Sequence, residues 1–238
     1  MESAYVAFIC LSFAAAVVSA VYGFGTALIV LALGAHILPV KETIALAAVL
    51  FSATTITKTI IFGRHIDWKV ASIMALASLP FSFAGAVFLA DVSADTLRRL
   101  LGFMVLIYLG LSAFNLFPRF RINTLGLVVG SAAYGFISGL LGSGNLIKAI
   151  MFREMNITKE AFVGAMAATS VLANVAKITV YRESGLLHGG QKLQIIWLVI
   201  AAILAVLLGR YLLRAISIAQ FSSGLQVVLA LSALGLLF

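Results

Sequence analysis

The sequence predicts an all-α, polytopic membrane protein of about eight main spans, arranged as two homologous four-span halves that each open with a glycine-broken helix. Three observations carry this. Of 238 residues, 63% are hydrophobic and 10% charged, whereas soluble domains carry roughly one quarter charged residues, so lipid must be the main solvent. Apolar runs recur along the whole chain, and at about 20 residues and 1.5 Å of rise per residue each crosses a hydrocarbon core of about 30 Å. Finally, a glycine break followed at a fixed distance by a lysine is written twice: Gly23 and Gly142, Gly25 and Gly144, and Lys58 and Lys177 are each separated by 119 positions.

The formal charge is +8, but the cations stand at helix ends and in short loops rather than in a basic stripe interleaved with aromatics. Membrane lipids with anionic headgroups therefore suit them better than nucleic acid. Cys10 is the single cysteine, which excludes an intrachain disulfide. With only His36, His65 and His188 scattered at loop edges, no metal cluster and no cofactor site is recognisable. Val18-Ser19-Ala20 resembles a signal-peptide cleavage site, but the residues before the apolar run are Met1-Glu2, without Lys or Arg, so the segment is expected to be retained.

Taken in order, Ser3 to about Leu38 is interrupted only by Gly23 and Gly25. If helical it is about 54 Å long, too much for one straight span and too little for two. A broken helix resolves the mismatch, and unwound backbone at membrane depth is tolerated where protein or a water-filled cavity surrounds it. Pro39 and Glu42 suit the start of a second span, Thr43 to Phe62. Trp68 and Lys69 are interfacial anchors for a third, reaching about Ala90 with Pro80 and Gly85 inside it. Thr96 to Phe117 make a fourth. Pro118-Arg119-Phe120-Arg121 is the junction, dividing a first membrane repeat, 1–117, from a second, 118–238. The pattern then restarts with Ile122 to Leu141, the Gly142 break, a short apolar piece Leu146 to Phe152, and spans Ala161 to Tyr181, Leu193 to Arg214 and Ile216 to Phe238. Extra residues between Arg182 and Lys192 lengthen the offset to 124 for Gly85 and Gly209. Four crossings per half make the repeats parallel; five, if the short pieces also cross, make them inverted. Loop Lys and Arg divide almost evenly between the two sides, which leaves both topologies open.

A discontinuous helix presents backbone N–H groups and the positive end of a half-helix at membrane depth, where low dielectric strengthens their hold on an anion. Gly23, Phe24, Gly25 and Thr26 form one such break; Gly142, Ser143, Gly144 and Asn145 form the other. Helix packing is the alternative use of these glycines. Lys58 and Lys177 lie within apolar spans, where an ammonium requires a counter-ion, a cavity or a snorkelling route to the headgroups. Thr54 and Thr55 precede Lys58, and Asn174 precedes Lys177, by about one turn on the same face. Their hydroxyl and amide groups suit an oxyanion, although Thr also bonds back to its own helix. Thr169 and Ser170 are weaker candidates. Lys148 replaces the first half's Ile29 and is either a further anion ligand or a residue at the water boundary. The histidines are expected to be solvated at loop ends. No catalytic triad, paired carboxylate or nucleotide loop is present, so an enzyme is not expected, and the acidic residues all fall at span edges.

These residues also carry a family likeness. Gly23-Phe24-Gly25, Leu38-Pro39-Val40-Lys41-Glu42 and Gly63-Arg64-His65-Ile66-Asp67-Trp68 recur in kind as Gly139-Leu140-Leu141-Gly142-Ser143-Gly144, Asn156 to Gly164, and Tyr181 with Gly185-Leu186-Leu187. Over essentially its full length the chain resembles the TauE/SafE sulfite exporter family, also called the toluene-sulfonate uptake permease family. The resemblance implies a multi-pass carrier in the bacterial inner (plasma) membrane for sulfite or organosulfur anions, with an ion gradient as a coupling partner. Thr26 and Asn145 depart from the pattern, where family members often have further glycines, and the three lysines match no family motif. The residues lead to an anion transporter working by alternating access between the repeats. The competing reading is a non-transporting scaffold or accessory subunit with packing glycines and headgroup-anchored lysines. Oligomeric state is not legible.

Overall fold

A computed structural model describes residues 2–23, 26–93, 95–97, 99, 100, 103, 107, 110, 123–153, 158–217 and 220. Nine α-helices cover most of them: α1 (Glu2–Tyr22), α2 (Thr26–Ile37), α3 (Val40–Phe62), α4 (Trp68–Asp91), α5 (Thr124–Leu141), α6 (Asn145–Arg153), α7 (Lys159–Ala168), α8 (Val171–Glu183) and α9 (Lys192–Ala215), with 3-10 turns at Gly63–His65 and Gly189–Gln191. Six segments are long and apolar enough to cross a membrane, formed by α1, α3, α4, α5, α7 with α8, and α9. The spans expected over Thr96 to Phe117 and Ile216 to Phe238, and the junction at Pro118, lie largely outside the described residues.

Local chemistry sets the helix ends. Asp67 caps α4 by accepting from the Lys69 and Val70 amides at 3.0 and 3.1 Å, Asn123 caps α5 through Gly126 N at 2.8 Å, and Thr158 caps α7 through Ala161 N. Gly23 and Gly142 both take left-handed backbone angles, φ 85° and 78°, which end α1 and α5 and turn the chain into the short α2 and α6. The spacing of the sequence recurs in these boundaries. Tyr22 and Leu141 end helices, and Thr26 and Asn145, then Val40 and Lys159, begin them, each pair 119 positions apart; α4 and α9 begin at Trp68 and Lys192, 124 apart.

Every residue of α3 from Thr43 to Ser52 is buried, the mark of a helix surrounded by protein on all sides. Its neighbours are α9, α7, α2 and α8, while α4 packs on α5 and α9 packs on α1. Small residues permit this closeness: a Cβ at Gly135 or Gly139 would run into the Ser78 or Ser82 carbonyl, and one at Gly85 into the Phe136 carbonyl. Gly209 meets Ala20 and Val17 of α1 in the same way. The outer face of α9 exposes Leu193, Ile196, Trp197, Ile200, Ile203 and Leu204, as a lipid-facing surface should.

One detail differs from the sequence expectations. The span expected over Ala161 to Tyr181 is two helices, α7 and α8, interrupted at Thr169–Ser170. The third span is one helix through Pro80, as expected; Ser78 and Ser82 beside it turn their hydroxyls to the Ala75 and Ala173 carbonyls.

Candidate functional site

The glycine breaks and the lysines meet around one cavity in the middle of the bundle. Eleven of the residues singled out in the sequence line it: Gly23, Thr26, Thr54, Thr55 and Lys58 from the first helices, and Gly142, Ser143, Asn145, Ser170, Asn174 and Lys177 from the later ones. Gly144 does not; its missing Cβ makes room for the Tyr134 carbonyl. Phe24 and Gly25 lie outside the described residues. The centre of a water molecule can move through about 30 Å³ of this cavity, which is space for a few-atom ligand.

Neither Lys58 nor Lys177 snorkels, for they are 3% and 1% exposed. Lys58 Nζ donates to Ser19 O at 2.9 Å and Ser19 Oγ at 2.7 Å. Lys177 Nζ donates to Ser138 Oγ at 3.1 Å and to Gly142 O at 3.0 Å. Each lysine thus reaches a serine 39 positions earlier, on the helix that ends in the glycine break. Where the chain unwinds, carbonyls lose their helical partners, and at Gly142 the ammonium takes one. Phe51 stands beneath Lys177, its ring centroid 5.9 Å from Nζ.

Hydroxyls and an amide fill the space between the lysines. Thr54 donates to Phe51 O, and Thr55 to Phe51 O and Ser52 O, so both threonines bond back to their own helix. Thr55 Oγ1 still accepts from Asn174 Nδ2 at 3.1 Å, a bond between positions 119 apart that joins α3 to α8. Ser143 Oγ accepts from Asn145 N at 3.4 Å at the start of α6. The N-terminal residues of both short helices, Thr26 and Asn145, line the cavity, so the positive ends of both half-helices reach it.

Lys148 is a third buried cation, at 0% exposure, and marks no water boundary. Its ammonium donates to Met166 O at 2.6 Å, to Thr169 Oγ1 at 3.3 Å and to Ser170 Oγ, and lies 4.4 Å from the Tyr134 ring centroid. Tyr134 and Ser170, joined by a 3.0 Å hydrogen bond, line the cavity themselves. The break between α7 and α8 explains the arrangement. Ser170 N bonds to Ala167 O instead of Met166 O, and Lys148 reaches the carbonyl so released.

All acceptors of these three ammonium groups are neutral, and among the described residues no Asp or Glu is buried. Glu42, half-buried at a span edge, accepts from Tyr5 Oη at 2.6 Å and Gln191 Nε2 at 2.8 Å. Burying a charged ammonium without a carboxylate beside it is costly. No group of His, Cys, Asp and Glu able to hold a metal occurs among the described residues.

The model of the family described as "Sulfite exporter TauE/SafE" matches residues 8–236. The chain belongs to the TauE/SafE sulfite exporter family. No curated protein and no solved structure matches it. TauE/SafE membership makes the class of the protein a membrane transporter of the anion-exporter type, and the six apolar spans accord with that class. Sequence reasoning missed Ser19, Ser138 and Tyr134; the two serines carried a usable signal, being 119 positions apart like the lysines they serve.

Proposed function

We propose that the protein carries a small sulfur oxyanion, sulfite or an organosulfonate no larger than the cavity admits, by alternating access around the site between Lys58 and Lys177. The observation that carries this is the set of three buried lysine amines beside a cavity of few-atom size, with no buried carboxylate among the described residues. At an effective dielectric of about 20, a unit anion about 4 Å from one ammonium gains about 4 kcal/mol. Two such lysines, two half-helix ends and the Asn174 amide together replace the water that the anion sheds. The size of the cavity favours sulfite over an aromatic sulfonate.

The reading includes two repeats, 1–117 and 118–238, eight main spans, and a multi-pass protein of the bacterial inner membrane. Six pairs of cavity-lining residues support the repeat: Ser19 and Ser138, Gly23 and Gly142, Thr26 and Asn145, Phe51 and Ser170, Thr55 and Asn174, and Lys58 and Lys177 are all 119 positions apart. A site lined equally by both repeats opens to one side and then the other when one repeat moves against its partner. The left-handed glycines at Gly23 and Gly142 are the hinges at which α2 and α6 move.

Thermal unfolding of the purified protein with sulfite, small and aromatic sulfonates, sulfate and carboxylates tests this. Sulfite is expected to raise the midpoint in proportion to its occupancy, and aromatic sulfonates to leave it unchanged. The absence of a shift with every anion contradicts the proposal.

A further inference from the structure

A second cavity, of about 100 Å³, lies away from the central one and gathers basic residues from two segments: Arg64 and His65 from the turn after α3, and Arg210 and Arg214 from the last turns of α9, facing Glu160 of α7. Cations suit helix C-termini through the helix dipole, but that role is filled here. Lys159 Nζ donates to Leu213 O and Ile216 O at 2.8 Å each, which satisfies the carbonyls at the end of α9. Among the described residues, the three guanidinium groups and Glu160 form no hydrogen bond or ion pair. His65 Nδ1 is buried without a partner, contrary to the solvated loop-end position expected for it. Three guanidinium groups thus face a single carboxylate, Glu160, and the lining carries an excess of positive charge.

Its depth in the membrane is fixed by its neighbours. Trp68, half exposed and tied to Gly63 O at 3.1 Å, and exposed Tyr211 flank the basic residues. Such aromatics mark the headgroup level. Phe62 and Leu213 give the pocket an apolar floor toward the spans. The cluster is also one-sided. At the matching offsets of 119 and 124, Arg64 corresponds to Glu183, His65 to Ser184, Glu160 to Lys41, and Arg210 and Arg214 to Ala86 and Ala90. Repeat architecture does not require these arginines, and only this copy carries them.

We infer that this corner binds the phosphate of an anionic phospholipid headgroup, with Arg64, Arg210 and Arg214 as its charge partners, His65 Nδ1 as a further donor and the acyl chains running down past the partly exposed Ile61. A phosphodiester supplies acceptor oxygens and negative charge beyond the single Glu160 carboxylate, and guanidinium groups bind phosphate through paired N–H donors. Inorganic phosphate shares the headgroup chemistry but not the chains.

Native mass spectrometry of the full chain in detergent, titrated with phosphatidylglycerol, phosphatidylcholine or inorganic phosphate, tests the inference. The wild type is expected to retain one phosphatidylglycerol well above the phosphatidylcholine background. Retention should fall about fivefold for each arginine removed, in the triple variant Arg64→Gln/Arg210→Gln/Arg214→Gln and in the milder Arg210→Gln, which serves if the triple variant does not fold. Equal retention of the two lipids overturns the inference, as does phosphatidylglycerol binding unchanged in Arg210→Gln. Full displacement of the lipid by millimolar inorganic phosphate also overturns it, by assigning the pocket to a soluble anion.

Discussion

The nests that hold Lys58 and Lys177 are near copies, but the helices that carry the two lysines are not. Each ammonium meets a serine 39 positions earlier, beside a left-handed glycine. Yet α3 runs unbroken from Val40 to Phe62, whereas its counterpart is cut into α7 and α8 at Thr169–Ser170. The side chain that occupies the cut is Lys148, and the matching residue of the first half is Ile29. Phe51 stands where the second half has Ser170, so an apolar ring continues one helix while a hydroxyl accompanies the break in the other. The difference separates two demands: the groups facing the cavity follow the repeat, and the break with its own cation departs from it.

Several substitutions would break or sharpen this comparison. The largest effect is expected at the close contact between α4 and α5. A Cβ at Gly139 would lie 2.7 Å from Ala86 N and run into the Ser82 carbonyl, so Gly139→Val should cost about 3 kcal/mol or more, read as loss of the folded peak in size-exclusion chromatography. Gly185→Ala is the control: nothing lies within 4 Å of its Cβ position, and its left-handed φ of 74° leaves only a strain of about 1 kcal/mol.

Next come the lysines singly. Lys58→Gln and Lys177→Gln should each weaken sulfite binding by about 10- to 100-fold, the worth of a charge-assisted hydrogen bond, and by similar factors. Calorimetric titration showing one variant inert and the other indistinguishable from wild type would end the claim of equivalence. Lys148→Met tests the asymmetry. It removes a buried charge and leaves Met166 O to the Thr169 and Ser170 hydroxyls, so stability should change by only about 1 kcal/mol. Sulfite affinity should fall about tenfold, because the positive field behind Ser170 and Tyr134 is lost. The smallest effect belongs to the bond across the halves: a Thr55→Val and Asn174→Leu double-mutant cycle should give a coupling of about 1 kcal/mol in thermal unfolding.

Much of this was legible in the amino-acid order because lipid makes its demands locally. Apolar runs of sufficient length, Pro39 before α3, Asp67 before α4 and the glycines at the breaks are each decided within a few residues, and they mark the ends of the described helices closely. The cavity was legible through the repeat, since equal spacing placed Gly23 with Gly142 and Lys58 with Lys177 before any contact was known. The lysines' partners were not. Ser19 and Ser138 lie one helix away, and small hydroxyls in membrane helices usually bond back to their own carbonyls, as Ser131 does to Leu127 O. The break at Thr169–Ser170 was hidden as well. Thr and Ser are common inside spans, and the cut is stabilised by Lys148, whose approach depends on how α6 docks. The basic corner escaped notice because Arg64 and Arg210 are far apart in sequence, and each alone reads as an ordinary end-of-span cation.

The central claim is that Lys58 and Lys177 hold a transported anion between the two halves. Sulfite flux in proteoliposomes, compared between wild type and a folded Lys58→Gln/Lys177→Gln double variant reconstituted at equal density, tests it most directly. The account predicts saturable flux in the wild type, and flux in the double variant reduced to that of empty liposomes. Wild-type flux in the double variant would contradict it and remove both lysines from the mechanism.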